Sequence, residues 1–444
     1  MTREELKQKA CAAIEAHKEE IIALGESIFA EPELGYKEVK TAAKVRAIFD
    51  QLGIAYRDQV GVTGIIAPLK GGVSKLKVAV MGELDAVVAP GHRCADPLTG
   101  AAHSCGHNAQ IAAMVGVGFA LQNTGILEHL AGDVILMAVP AEEYVEIEYR
   151  SKIRNEGKIS FLGGKQEFIK LGEMDDIDMM VMHHLRANSI DANGVSIKAS
   201  VGGGSNGFIG KLIRYSGKEA HAGGAPHMGV NALNAAMLGL MAVHAQRETF
   251  QDKDHIRVHP IMTKGGDLVN VIPADVRMET YVRGANMEAI LDASKKVNRA
   301  LQSGAMAVGA QCDITELPGY LPRLNDEKMT DLMYQNLCSI VGKDHVHLAP
   351  AGESGGGSTD AGDVSYIMPT LHPYIGGVEG IGHSENYEIV DKELSYIVSS
   401  KALVMTVIDL LCDGAEKGIQ IKEEFKPTLD KEGYLAMWEE FVKK

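Results

Sequence analysis

Two nearly continuous runs of apolar residues constrain the fold of this chain most strongly. Asp133–Val139 (DVILMAV) and Ile177–Met182 (IDMMVM) have the length of strands, and their lack of polar alternation is typical of strands buried on both faces. A third segment, Lys75–Met81 (KLKVAVM), also predicts a buried strand, and a helical pattern over Ala109–Gln122 separates it from the first run. Strands that alternate with helices indicate layered packing. We therefore predict an α/β domain whose sheet is covered on both faces.

The middle of the chain has a different order of elements. The glycine-rich run 201–207 (VGGGSNG) predicts a hinge or a cluster of turns. The patterns that follow predict a strand, a helix, two strands, a helix and a strand, at Gly207–Tyr215, Val230–Gln246, Ile256–Thr263, Val276–Arg283, Met287–Val308 and Cys312–Leu317. This β-α-β-β-α-β order is ferredoxin-like. We predict one α/β domain formed by residues 1–199 and 319–444, with a small α+β domain inserted at 200–318.

Composition excludes several classes of protein. The chain has 444 residues, of which 45% are hydrophobic, enough to fill the cores of two domains. Its net charge of −15 disfavours nucleic acid as a partner. Neither the charged N-terminus nor the short apolar stretch Ala402–Leu411 has the pattern of a signal peptide or a membrane span. The six cysteines are scattered without a disulfide framework. We expect a cytoplasmic protein with no nucleic-acid or membrane partner.

Side chains of the kinds that bind metals follow the predicted strands or stand in turns. They are Glu83 and Asp85, Cys105 and His107, Glu142 and Glu143, His183 and His184, and His383. In open α/β sheets, ligands bind beyond the carboxyl ends of the strands, so these segments should converge. Each residue alone has an ordinary structural explanation, such as a buried cysteine or the solvated start of a helix. Adjacent strand residues face opposite sides, so only one of the two neighbouring histidines can face a site.

The chemistry of this set favours a metal-dependent hydrolase. Thiolate, imidazole and carboxylate groups together suit zinc and similar divalent ions, which promote hydrolysis by acidifying water. A second glutamate beside a ligand can carry the proton to the leaving group. The candidate ligands are therefore Cys105, His107 and His383, together with one of Glu142 and Glu143 and one of His183 and His184.

The same motifs resemble those of a known superfamily. HSCGHN (103–108), PAEE (140–143), SGKEAHAGGAPHMGVNAL (216–233), GGDLVNVIPADV (265–276), GSTDAGDVS (357–365) and GHSENYEIVD (382–391) carry the resemblance, together with the histidine at 184. They are similar to the aminoacylase and carboxypeptidase metallohydrolases. Within these, they resemble the amidohydrolases that include p-aminobenzoyl-glutamate hydrolase, hippurate hydrolase and auxin-conjugate hydrolases. The resemblance implies a di-metal hydrolase domain with an inserted ferredoxin-like lid domain.

The resemblance also implies how the ligands are shared between two divalent ions, which could be zinc, manganese, cobalt or nickel. Cys105 would bridge the pair of ions. His107 and His184 would bind one ion, and Glu143 and His383 would bind the other. Beside them, Glu142 would be the general base and acid, and Asp85 would orient a ligand histidine.

Further residues are implied for the substrate. His221 resembles the lid histidine that polarises the scissile carbonyl, often across a dimer interface. Asn270 and Arg283 resemble the pair that receives the substrate carboxylate, a task for which the planar guanidinium is well suited. Gly357 lies in a glycine-rich stretch that resembles the loop close to the carboxyl end of the substrate. Glu83 departs from the wider superfamily, in which many members have a metal-binding histidine at this position.

We therefore predict hydrolysis of the amide bond of N-acyl amino acids or small peptide-like substrates with a carboxylate. A p-aminobenzoyl-glutamate-type or dipeptide hydrolase is an alternative within this class. Two other hypotheses are a hydrolase with Cys105 as nucleophile, paired with His107 or His103, and a non-catalytic binding protein on the same fold. We also expect a homodimer formed through the lid domain, with the apolar helix Ala232–Val243 at the interface. The alternative is that this helix simply packs on its own sheet.

Overall fold

A computed structural model of the chain describes residues 1–442. It divides into two compact units, which are described separately below. The larger unit consists of residues 1–203, 324–353 and 363–430. The smaller unit consists of residues 204–323 and 354–362 together with the C-terminal segment from residue 431. This division differs from the predicted domains, which assigned residues 354–362 and the C-terminal helix to the larger domain. That helix buries Trp438 within the smaller unit.

The regular elements are numbered in chain order. The helices are α1 (Arg3–Ala16), α2 (Lys18–Phe29), α3 (Val39–Leu52), α4 (His107–Leu121), α5 (Ile147–Asn155), α6 (Gly164–Leu171), α7 (Ala232–Ala245), α8 (Met287–Val308), α9 (Glu327–Val341), α10 (Ala361–Ser365), α11 (Ser399–Leu411), α12 (Glu416–Glu424) and α13 (Lys431–Val442). The strands are β1 (Arg57–Val60), β2 (Gly64–Leu69), β3 (Lys77–Glu83), β4 (Val87–Val88), β5 (Ala101–Ala102), β6 (Asp133–Val139), β7 (Met179–Val181), β8 (His184–Ala187), β9 (Ser189–Ile190), β10 (Ser196–Ile197), β11 (Ala199–Ser205), β12 (Gly207–Ser216), β13 (Arg257–Val258), β14 (Ile261–Lys264), β15 (Asp275–Gly284), β16 (Gln311–Leu317), β17 (Val346–Gly355), β18 (Thr370–Leu371), β19 (Tyr374–Glu379) and β20 (Glu388–Ile389).

A six-stranded mixed sheet forms the centre of the larger unit, in the order β1-β2-β6-β3-β7-β18. Strands β6, β3, β7 and β18 are parallel, whereas β1 and β2 run antiparallel to their neighbours. All seven residues of β6 are buried, as its apolar run predicted. Because β3, β6 and β7 are parallel, their carboxyl ends meet at one edge of the sheet, and the polar segments after them begin there.

Helices cover this sheet, as the layered α/β prediction requires. Every residue of α4 is buried, and α4 packs against β3 as well as α1, α2 and α11. A π-helical turn at Glu393–Val398 leads directly into α11. Together, Glu393–Leu411 form the one helix among residues 1–442 that is long and apolar enough to cross a membrane, but 94% of this stretch is buried within the protein. Such burial is typical of a core helix.

A second sheet of the larger unit has the order β17-β11-β19-β20, with β8 paired parallel to β19. This sheet corrects the prediction of a cluster of turns at residues 201–207, because β11 extends through Ser205, although the boundary between the two units does fall within this segment. Gly202 and Gly203 lie in the strand with φ values of 83° and 66°. Glycine adopts such angles without the steric penalty of a side chain, so the glycines permit an irregular strand here.

The smaller unit has the predicted β-α-β-β-α-β order. Its sheet runs β13-β15-β12-β16 with antiparallel pairing throughout, and β14 also pairs with β15. The predicted strand Ile256–Thr263 is divided into β13 and β14 on either side of Pro260, which has no N–H to contribute to the sheet. Helices α7 and α8 pack on this sheet and on each other around a core of small and branched apolar residues. The ferredoxin-like prediction is confirmed.

Candidate metal centre

All five predicted metal ligands converge beyond the carboxyl ends of the central strands. Cys105 and His107 flank Gly106, which has a φ of 98° and precedes the first residue of α4. Glu143 follows β6, and His184 is the first residue of β8. His383, in the loop between β19 and β20, completes the cluster with a φ of 62°.

The ligand atoms form two groups that share one sulfur atom. Cys105, His107 and His184 form the first group, and Cys105, Glu143 and His383 form the second, with donor atoms within 4.8 Å of one another in each. Cys105 Sγ lies 3.2 Å from His184 Nε2 and 3.4 Å from His383 Nε2. His383 Nε2 lies 3.0 Å from Glu143 Oε1. Each group would hold one divalent cation, with the Cys105 sulfur common to both groups.

Neighbouring groups fix the orientation of the histidine rings. His107 Nδ1 lies 2.8 Å from the backbone oxygen of Asp85 and 3.3 Å from its Oδ1, so that Nε2 faces the cluster. The same carboxylate accepts a hydrogen bond from the backbone N–H of Glu143 at 2.9 Å. His184 Nδ1 lies 2.6 Å from the oxygen of Leu185, which directs its Nε2 toward Cys105. Contacts of this kind hold ligand imidazoles in the tautomer that a metal requires.

Electrostatics favour the ligating form of the cysteine. Burial by itself would raise the pKa of the Cys105 thiol, but the adjacent His184 and His107 lower it to about 6. The carboxylate of Glu143 raises the pKa of His383 to about 12. Burial opposes ionisation of Glu143, but His383 outweighs burial and lowers the pKa of that carboxyl. A divalent cation would take the place of the protons that hold these opposite charges together.

Besides the grouping of their donor atoms, the burial and the chemical types of these residues also fit a dinuclear metal site. His107 Nε2 and Glu143 Oε1 are both buried, and among the described residues their close polar contacts are with Glu83 and His383, at 3.1 and 3.0 Å, without the geometry of a hydrogen bond. Buried polar atoms are rarely left without a partner unless an unobserved ion or water satisfies them. The donor set of one thiolate, three imidazoles and a carboxylate is that of zinc and related ions.

Two glutamates adjoin the first group of ligands. Glu142 is 7% exposed, and its Oε2 lies 3.7 Å from His107 Nε2. Glu83, the last residue of β3, is fully buried and forms an ion pair with the buried ammonium group of Lys165. Glu83, His107 and Glu142 together form a third group that could hold a cation. Sequence reasoning assigned Glu83 no ligand role and did not identify Lys165, because no local signal links them.

Two buried polar side chains, those of Glu38 and Arg150, hold the turn that carries Glu142 and Glu143. Ala141 immediately precedes them and has a φ of 55°, an uncommon angle for a residue with a side chain. Its N–H donates to Glu38 Oε1 at 2.8 Å, and its carbonyl accepts from Arg150 Nη1 at 3.2 Å. Sequence reasoning missed both partners, because each is far from the motif or has no distinctive spacing.

The remaining predicted residues all lie in the smaller unit. His221 is exposed, and its Nδ1 accepts a hydrogen bond from the N–H of Gly224 at 2.9 Å. The carbonyl of Asn270 accepts from Ala222 at 2.9 Å, which brings the segment of Asn270 beside His221. Arg283 is partly buried, and its Nη1 donates to Ser358 Oγ at 2.8 Å.

Arg283 is also held from other sides. Its Nε donates to His259 Nε2 at 3.1 Å, and its guanidinium lies over the rings of Phe208 and Tyr281. Gly357 is exposed, adjacent to Ser358, and its carbonyl accepts from the N–H of Asn206 at 2.9 Å. The structure thus brings Gly357 close to Arg283, and Asn270 close to His221. The roles of these residues toward a substrate stay predictions.

Comparison with known proteins supports the resemblance. Residues 203–307 match a family model described as a peptidase dimerisation domain. The mouse Xaa-Arg dipeptidase is 28% identical, in an alignment that covers 97% of this chain and 94% of the relative. An IAA-amino acid hydrolase from Arabidopsis thaliana is 24% identical over 87% of this chain and 85% of the relative.

A solved structure from Bacillus subtilis has the same fold. It is described as a dinuclear metal-binding peptidase of the M20 family, with a TM-score of 0.63 and 19% identity over 89% of this chain and 99% of that chain. The resemblance to di-metal peptidases and amidohydrolases, made from motifs alone, is therefore confirmed.

Proposed function

Since this chain is a homologue, along nearly its whole length, of peptidases and amidohydrolases related to the M20 family, we propose that it hydrolyses amide bonds with two divalent metal ions. The observation that carries the proposal is the pair of ligand groups joined at Cys105, with Glu142 adjacent to them. The two groups would hold one ion each, and zinc, manganese, cobalt and nickel all suit their donor atoms. The ions, when bound, would acidify water and polarise the scissile carbonyl.

The residues of the chain would then move the protons. Glu142 Oε2 would take a proton from water as the water oxygen bonds to the carbonyl carbon, and would donate it to the amine nitrogen as the C–N bond breaks. Glu142 is suited to this because it is nearly buried and adjoins His107, but it belongs to neither of the two ligand groups that share Cys105. Asp85 would keep His107 oriented and would hold the backbone of Glu143.

We propose that the substrates are dipeptides or N-acyl amino acids with a free carboxylate. The similarity to a dipeptidase and to an amino acid conjugate hydrolase supports this class, and a p-aminobenzoyl-glutamate-type substrate is the alternative within it. In the smaller unit, Arg283, Asn270 and Gly357 would receive the carboxylate, and His221 would polarise the carbonyl. The guanidinium of Arg283 is held by Ser358 and two aromatic rings, a rigid setting that suits carboxylate recognition.

The test compares Glu142→Ala with Glu146→Ala. Glu146 lies four residues further on, and its carboxylate pairs with Lys37 at 2.7 Å outside the ligand groups. Each protein is assayed on dipeptides and N-acyl amino acids, with manganese, cobalt or zinc and after chelation. We expect Glu142→Ala to keep its metal and lose about 10²- to 10⁴-fold in kcat, whereas Glu146→Ala stays near the parent protein.

Other outcomes would favour the rival hypotheses. Near-normal turnover in Glu142→Ala would refute its role as the base. Activity that survives chelation but is lost on alkylation of Cys105 would instead favour the cysteine nucleophile. Metal binding without hydrolysis of any substrate in the panel would favour a binding protein.

We also propose that the smaller unit forms a homodimer. The matched peptidase dimerisation domain supports this, and so do the two faces of α7. Ala232, Ala235, Gly239 and Val243 are buried, whereas the opposite face exposes Met237, Leu238 and Met241, the last of them 67% exposed. The helix therefore packs on its own sheet and still has an apolar surface available for a partner.

Light scattering measures the mass of the protein in solution. We expect a dimer for the parent chain and a monomer for Met241→Glu. Met306→Glu, at an exposed methionine on α8, serves as the matched control and should stay dimeric. A monomeric parent chain at working concentration would contradict the proposal.

A further inference from the structure

We propose that Glu83 is a sixth protein ligand of the metal pair, on the ion bound by His107 and His184. This inference rests on the proposed function, because it requires the metal centre to exist. Glu83 is fully buried at the end of β3, and its Oε2 lies 3.1 Å from His107 Nε2. Glu83, His107 and Glu142 have donor atoms within 4.8 Å of one another.

The distance between Glu83 and His107 is the distance expected of two ligands on one ion. Metal–nitrogen and metal–oxygen bonds of about 2.0–2.2 Å, at angles between octahedral and tetrahedral, separate neighbouring ligand atoms by roughly 3.0–3.5 Å. The separations of 3.0 Å between His383 and Glu143, and of 3.1 Å between His107 and Glu83, both fall in this range. Glu83 therefore stands in the same relation to His107 as two predicted ligands stand to each other.

The carboxylate of Glu83 is held in this orientation from two other sides. Its Oε1 forms an ion pair with Lys165 Nζ, and its Oε2 accepts a hydrogen bond from Gln110 Nε2 at 2.7 Å. The backbone N–H of Glu83 donates in turn to Gln110 Oε1 at 3.3 Å. A carboxylate oxygen can accept two bonds, so Oε2 keeps one lone pair for the side that faces His107.

A cation between these two atoms explains their close approach. His107 Nδ1 is placed to donate to the backbone oxygen of Asp85, which leaves a lone pair on Nε2 in the neutral imidazole. That lone pair would face the lone pair of Glu83 Oε2 at 3.1 Å, and this contact lacks the geometry of a hydrogen bond. Two acceptors this close repel each other unless a positive charge joins them, which is a proton on Nε2 in the metal-free protein and would be the metal ion once it displaces that proton.

The proposal makes the two ions unequal. The ion bound by His107 would have four protein ligands (Cys105, His107, His184 and Glu83), whereas the other would have three (Cys105, Glu143 and His383). We expect the four-ligand ion to be bound more tightly, because it has an additional charged ligand. Binding would not have to order that ligand first, since the Glu83 side chain is already held by Lys165 and Gln110. Lys165 offsets part of the negative charge that Glu83 adds.

The experiment titrates the metal-free, full-length protein with Co²⁺ and follows the visible absorption, with bound metal counted by mass spectrometry. Glu83→Gln removes the charge while keeping the shape of the side chain. Glu167→Gln is the matched control, because Glu167 is also a buried glutamate but lies outside the ligand groups, where its Oε2 accepts the backbone N–H groups of Ser160 and Phe161 at 2.8 Å. We expect Glu83→Gln to weaken one binding step at least about tenfold and to change the cobalt spectrum, with Glu167→Gln unchanged.

The possible outcomes separate this proposal from the function on which it rests. Two Co²⁺ ions bound by Glu83→Gln with the affinity and spectrum of the parent protein would overturn the ligand assignment alone. A parent protein that binds no Co²⁺ would overturn the dinuclear centre itself. If Glu83→Gln does not fold by circular dichroism, Glu83→Asp decides, because it keeps the charge but shortens the side chain by one methylene. An unchanged titration of Glu83→Asp would refute the proposal.

Discussion

Replacement of Arg150 by methionine tests whether buried charges hold the turn that carries Glu142 and Glu143. Arg150 is completely buried, and its Nη1 donates to the carbonyls of Ala141 at 3.2 Å and Leu162 at 2.9 Å. Its Nη2 lies 3.9 Å from Asp85 Oδ2. Methionine fills much of the same volume but provides none of these contacts.

The magnitude follows from the groups that would lose their partner. A buried polar group left unpaired costs about 1–3 kcal/mol, and the removal of one member of a buried ion pair costs about 3–5 kcal/mol. These losses overlap, because the same side chain serves two carbonyls and one carboxylate. We expect Arg150→Met to lower the free energy of unfolding by about 3–5 kcal/mol.

The assay is urea unfolding of the metal-free protein, followed by far-ultraviolet circular dichroism. With a slope of about 3 kcal/mol per molar urea, the midpoint should fall by roughly 1 M or more. Arg57→Met is the control, because Arg57 also pairs with a carboxylate, that of Glu173, but is 62% exposed. Exposed pairs contribute at most about 1 kcal/mol, so this variant should change little. Equal effects of the two substitutions would refute the reasoning.

Three other predictions concern separate parts of the chain. A hydrogen bond from Arg214 at 2.7 Å lowers the pKa of Asp275 to about 2 from an ordinary value of 3.8. Asp275 therefore adds stability above pH 3.8 that is lost as the pH falls through 2. The difference in unfolding free energy between the parent protein and Asp275→Asn should shrink over that range. A difference that does not change with pH would contradict this prediction. Chelation should expose Cys105 to iodoacetamide, with labelling located by peptide mass spectrometry, and equal labelling with and without metal would count against a bridging thiolate. Gly106→Ala should weaken metal binding, measured by titration, and lower the melting temperature. The reason is that a side chain at φ 98° would approach Tyr387 Oη to 2.6 Å. Unaltered values would show that the turn can adjust.

Local patterns in the sequence were sufficient to predict strands, the order of elements in the smaller unit and the candidate site residues. The apolar run Asp133–Val139 identified β6 residue for residue, because a strand covered on both faces must be apolar along its whole length. The β-α-β-β-α-β order identified the smaller unit, because the spacing of apolar residues that distinguishes a strand from a helix is visible within each short segment. The five predicted metal ligands could be singled out because each follows a strand or stands in a turn, and the structure brings their donor atoms together at one edge of the sheet.

The tertiary structure alone decided features that depend on residues far apart in the chain. The ion pair of Glu83 with Lys165 joins residues 82 positions apart, and the hydrogen bond of Glu38 to Ala141 joins residues 103 positions apart. Residues 201–207 have the composition of a cluster of turns, but pairing with neighbouring strands makes 199–205 a strand. Composition and periodicity report what a segment prefers by itself. The partner of a buried charged side chain, or of a strand in a sheet, is determined only when distant segments pack together, because the buried polar groups of each segment must then form hydrogen bonds or ion pairs with those of the other.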